Sequence, residues 1–221
     1  MKKILPVFLL LLASSAIAQE REWIPYKKFV ESLKLDKYYS LPAAQRDKID
    51  LSLKIIPQNK AIKPADIGLA VVHSGGRTPL PLDTEGRMHV VPNAKWLAED
   101  TKIMTTMPTG EKARMAYILN AVVPPGTQWP YASLMGSVEQ SNEAIGKVAG
   151  AFSLFAPKMK WIVLKFDQPA KVTVQARAGA LQYATDAKHQ IRLKPDNALL
   201  KENPLMVATA RPLEAELMED E

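Results

Sequence analysis

Cysteine is absent from the 221 residues, which excludes disulfides, thiol catalysis, cysteine-ligated zinc and a lipid anchor on a processed cysteine. Histidine is scarce. His73, His89 and His189 are too few and too scattered for a familiar ligand cluster, and no catalytic motif accompanies them. The apolar run Ile4 to Ala13 and the apolar stretch Ala144 to Ala156 both fall short of the roughly 20 residues that cross a bilayer. Motifs that interleave basic and aromatic residues are missing too. The net charge of +6 therefore sits on dispersed lysines and reads as solvated surface, with no nucleic-acid partner. What is present is ordinary globular composition, 47% apolar and 24% charged, with room for one large or two small domains.

Lys2 and Lys3 precede the run Ile4 to Ala13, and Ala16-Ile17-Ala18 supplies the small residues that signal peptidase accepts. Residues 1–18 are thus expected to be a cleaved signal peptide, the exported chain starting at Gln19 in a bacterial periplasm. In that oxidising compartment the cysteine-free fold rests on its core alone. Glu214, Glu216, Glu219, Asp220 and Glu221 make residues 214–221 an acidic, mobile tail on a basic body. Such a body suits contact with anionic lipid heads or acidic glycans as well as plain solvation.

A duplication organises the rest. Residues 69–106 align without a gap on residues 172–209 at an offset of 103, and seven of the 38 pairs are identical. They are Val71 with Val174, Gly76 with Gly179, Asp83 with Asp186, Pro92 with Pro195, Leu97 with Leu200, Glu99 with Glu202, and Thr106 with Thr209. Upstream, Tyr26, Phe29, Val30 and Leu33 recur as Tyr131, Leu134, Met135 and Val138, each 105 residues later, with the spacing of one helix face. A Trp and a Pro introduce each set. Between these blocks Leu51-Ser52-Leu53-Lys54-Ile55 matches Ile162-Val163-Leu164-Lys165-Phe166 at an offset of 111. The shifting offsets require one insertion and one deletion, both placed in loops.

Each copy reads as an amphipathic helix, alternating strands, a short helix behind a capping residue and a closing strand. Pro79 to Pro92 reads as a hairpin turning at Asp83 and Gly86. In the second copy His189 stands at the glycine position, which predicts a strained turn or another turn type. The fold class that follows is mainly β with accessory helices: two tandem small antiparallel sandwich-like repeats, each preceded by an amphipathic helix, over residues 19–123 and 124–213. The Asp83-to-Pro92 turn is similar to those of transthyretin-like and carboxypeptidase-regulatory-like sandwich domains, which implies a sandwich and no function. The Tyr26 helix, Lys63-Pro64-Ala65-Asp66-Ile67 and Leu82-Asp83-Thr84-Glu85-Gly86-Arg87 together resemble uncharacterised secreted proteins of Gram-negative bacteria, a domain-of-unknown-function family. That resemblance brings no catalytic residues.

His73-Ser74-Gly75-Gly76 invites comparison with oxyanion-hole loops, but the second copy reads Ala176-Arg177-Ala178-Gly179, so the glycines are turn residues. Asp47 with Asp50 and Glu99-Asp100 read as surface charge, and Trp96, Trp129 and Trp161 as packing. Ala144 to Ala156, which coincides with the insertion, reads as a core helix or buried connector. A position the duplicate lacks is one the scaffold does not need, so His73, Ser74 and Arg77 at the first loop tip become the candidate partner-binding residues. The expected function is an exported non-enzymatic binding module of the cell envelope, without cofactor or metal, for a protein, glycan or lipid partner. A periplasmic hydrolase with a site between the repeats, or a structural envelope component, are the alternatives.

Overall fold

The computed structural model describes residues 20–220, so the segment read as a signal peptide lies outside the described residues. The chain is mainly β, in three antiparallel sheets with accessory helices. The first half runs β1 (Arg21–Pro25), α1 (Tyr26–Ser32), α2 (Leu35–Ser40), β2 (Ile49–Pro57), β3 (Leu69–His73), β4 (Gly76–Pro79), β5 (Arg87–Met88), α3 (Ala94–Ala98), β6 (Lys102–Thr105) and β7 (Ala113–Ala121). The second runs β8 (Gln128–Pro130), α4 (Tyr131–Met135), α5 (Ser137–Ala149), β9 (Trp161–Lys165), β10 (Lys171–Ala176), β11 (Gly179–Ala184), β12 (Gln190–Leu193), α6 (Asn197–Glu202), β13 (Leu205–Ala208) and β14 (Glu214–Met218).

The strand orders repeat. One four-stranded sheet is ordered β1-β6-β3-β4 and the other β8-β13-β10-β11. Registers agree as well: Val71 lies opposite Ile103, and Val174 opposite Met206. Pro25 and Pro130 end β1 and β8, both edge strands, where a missing N–H costs no ladder bond. The following Tyr26 and Tyr131 are buried, and their hydroxyls accept from the Asn93 and Asp196 amides at 3.0 Å. Asn93 and Asp196 in turn cap α3 and α6.

The identities between copies mark shared structural work. Val71 and Val174 are buried. Gly76 and Gly179 sit at φ +122° and +126°, closing two-residue hairpin loops that a side chain would strain. Asp83 and Asp186 accept amide hydrogen bonds across their turns. Glu99 and Glu202 accept from the loop-tip amides of Ser74 and Arg177. Thr106 and Thr209 accept from Gly68 and Lys171 through their hydroxyls.

Several expectations are corrected. The Pro79-to-Pro92 segment turns at Asp83 as expected, but its arms enter different sheets, β4 pairing with β3 and β5 with β2. The turn at His189 is of the same type, since both turns form the equivalent main-chain bonds. His189 takes φ +58°, so of the two expected alternatives the strained turn is the one found, the strain lying in the His189 backbone. Residues Glu214–Met218 are no tail. They form β14, paired with β9 along five residues, with Ala215 and Leu217 buried; the acidic positions alternate onto the polar face, which makes the strand look like a tail in one dimension. Leu33 lies just past α1 and is only half-buried. The six-residue growth in offset falls in the longer α5 and the 3-10 turn after it, Gly150–Phe155. That turn is exposed, contrary to its reading as a buried connector.

The halves are joined more closely than tandem sandwiches. A six-stranded sheet, β12-β9-β14-β7-β2-β5, runs through both. Equivalent strands β7 and β14 meet antiparallel at its centre, the relation that a two-fold axis produces. One hydrophobic core collects side chains from both halves.

Candidate functional site

The central seam is thinly paired: Glu216 lies opposite Asn120, and no other registered pair joins β7 to β14 among the described residues. That register sets Leu119 against Leu217. Because side chains alternate along a strand, Asn120, Glu214 and Glu216 face one side, and Leu119 and Leu217 the other.

The polar side carries a charged network. Arg87 and Asn120 from the first half both donate to Glu214, Asn120 at 3.0 Å. Lys165 reaches Glu214 at 3.0 Å and Glu216 at 2.6 Å. Burial pushes the Glu214 carboxyl up, but its hydrogen bonds to Lys165 and Arg87 outweigh that and hold it below the usual carboxylate range. Each charge is answered by a neighbour, so this network fastens the halves together.

The apolar side opens into a groove of about 700 Å³ between α5 and the sheet. Ile49, Leu51, Leu119 and Leu217 form its floor. Ser141, Ala144, Ile145 and Val148 of α5 form a wall, at the i, i+3, i+4, i+7 spacing that puts them on one helix face. Small Ala144 and Ala149 leave the space. Tyr117 bounds the groove and donates to the Leu33 carbonyl at 2.9 Å. Tyr38 also lines it; burial, then the neighbouring Tyr39, push its phenol up to about 12, so it stays neutral. The Ser141 hydroxyl donates to the Val138 carbonyl at 2.8 Å and is spent within the helix. Lys34, Glu219 and Asp220 give the rim its charge, Asp220 being held by Lys160 and by the Trp161 indole N–H at 2.9 Å. No histidine lies among the lining residues. The lining is mainly apolar, with its charge confined to the rim.

No protein-family model, curated protein or solved structure matches the chain.

The loop tip lies away from this groove and is tied into its own half. His73 stacks on Trp96 with ring centroids 4.9 Å apart and accepts from the Gly75 amide at 3.1 Å. Ser74 donates to Glu99 at 2.9 Å, and Arg77 pairs with Glu20 at 2.8 Å. His89 instead meets Asp50 at 3.0 Å. Among the described residues no group of three or more His, Cys, Asp or Glu is placed to hold a metal. Trp129 is buried, and Trp161 lies under Arg192 and Lys194. Sequence reasoning missed Ile145, Val148 and Tyr117. The helical spacing in α5 and the local growth in offset were the available signals.

Proposed function

We propose that the protein is an exported, non-enzymatic binding module of the bacterial cell envelope that holds an acyl chain or similarly slender apolar group in the seam groove. The observation that carries this reading is the groove itself. Its volume falls within the roughly 300–1,000 Å³ of small-molecule sites, and its lining is mainly apolar with a few polar groups at the rim. The scaffold alone does not call for it, because the first half builds the same strand order with the shorter α2. A basic exported chain would meet acyl lipids at either membrane of the envelope.

The test is displacement of a fluorescent naphthylamine probe by long-chain fatty acid, with wild type and Val148→Trp compared. Wild type is expected to take up the probe and release it to fatty acid. Val148→Trp, which fills the groove from a half-buried position, is expected to lose uptake at least about tenfold, roughly 1.4 kcal/mol, while unfolding like wild type. Equal uptake by the two proteins, or none by wild type, refutes the reading.

A further inference from the structure

The segment that distinguishes the second half also carries the two most exposed large apolar side chains among the described residues, Leu154 and Phe155, with Phe152 beside them. Phe152 is 70% exposed, Leu154 90% and Phe155 87%. They stand on the 3-10 turn Gly150–Phe155, which starts at a glycine with φ +60°. The return strand is anchored: Asn142 of α5 donates to the Met159 carbonyl at 2.9 Å and accepts from its amide at 2.8 Å. The prong is thus a fixed protrusion that the duplicate half does without, and three protruding apolar side chains within four residues cost solubility unless something covers them.

We infer that this prong inserts into the surface of a lipid bilayer bearing anionic head groups. Area favours a bilayer over a protein partner. Three such side chains on one short turn offer roughly 500 Å², below the roughly 600 Å² per partner at which specific protein interfaces begin, and a bilayer needs no matching shape and takes apolar tips to shallow depth. Charge points the same way. Lys158 follows the prong and is exposed, which puts its ammonium group at head-group level when the rings are in the acyl layer; Lys147 and Lys160 flank the prong as well, each also facing a carboxylate, Glu143 at 4.0 Å and Asp220. The chain as a whole is basic, and stays so without Lys2 and Lys3.

The experiment is flotation of the purified protein with vesicles of phosphatidylcholine alone and of phosphatidylcholine mixed with phosphatidylglycerol. Wild type is expected to float with the mixed vesicles, less with the neutral ones, and less again at high salt. Phe152→Ser with Phe155→Ser is expected to float at least about tenfold less while unfolding like wild type, since both side chains are already in water; Lys158→Glu is expected to weaken flotation on mixed vesicles only. Val148→Trp fills the groove and is expected to float undiminished, which separates this inference from the acyl-binding proposal. The inference is overturned if wild type does not float, if the double variant floats equally well, if neutral vesicles serve as well as mixed ones, or if Val148→Trp abolishes flotation. It is also overturned if the double substitution changes sedimentation mass instead of flotation, which would make a second copy the occupant.

Discussion

Replacing Glu214 with alanine removes a carboxylate that accepts from Arg87 and Asn120 of the first half and Lys165 of the second. The side chains of Arg87 and Glu214 are each only 18% exposed, and that of Lys165 28%, so the cations left behind are not freely hydrated. Removing one partner of a fully buried pair costs about 3–5 kcal/mol. Here Arg87 keeps Glu85 and Lys165 keeps Glu216, both at 2.6 Å, which brings the expected loss to about 2–3 kcal/mol. With a urea slope of about 2 kcal/mol per molar, the tryptophan-fluorescence midpoint is expected to fall by about 1 M at neutral pH. The sign with pH follows from the lowered Glu214 carboxyl. A folded value below the ordinary 4.5 gives stability that is complete above that ordinary value and is lost as pH falls through the folded one. The gap between wild type and Glu214→Ala is therefore expected to close in acid. A midpoint shift under about 0.2 M at neutral pH, near the ±0.5 kcal/mol of an inert surface change, refutes the fastening role. So does a gap that persists undiminished in acid.

The two equivalent turns give opposite expectations. His189→Gly relieves about 1–2 kcal/mol of left-handed strain against about 0.5–1 kcal/mol of added chain entropy, a net gain of up to about 1.5 kcal/mol. Gly86→Ala loses stability at φ +80°, where an added Cβ would lie 3.0 Å from the Ile55 carbonyl oxygen; thermal unfolding of both variants checks the pair. The export reading predicts that protein recovered from the periplasm has the intact mass of a chain starting at Gln19, and full-length chain held in the inner membrane would refute it.

Much of the architecture was legible because local chemistry dictates it. Gly76 and Gly179 mark hairpin tips that need positive φ, Asp83 and Asp186 mark turns that need an acceptor, and the Tyr26 and Tyr131 faces mark helices with one buried side. These signals lie within a few residues, so the strand and helix succession and the internal repetition followed from the one-dimensional string. Three things did not, and each depends on partners far apart in sequence. Glu214 to Met218 alternate acidic and apolar residues, and only pairing with β9, some fifty residues upstream, makes them a strand with one buried face. The joining of the halves rests on β7 meeting β14, a contact that no local pattern encodes because each strand already has a partner on its other edge. The groove arises from what α5 leaves uncovered across that seam: its lining comes from segments between Leu33 and Asp220, and an empty volume is set by where backbones stop approaching one another, which composition and periodicity do not specify. Phe152, Leu154 and Phe155 show the same limit from the other side, since apolar residues read as core until the fold shows that nothing in the chain covers them.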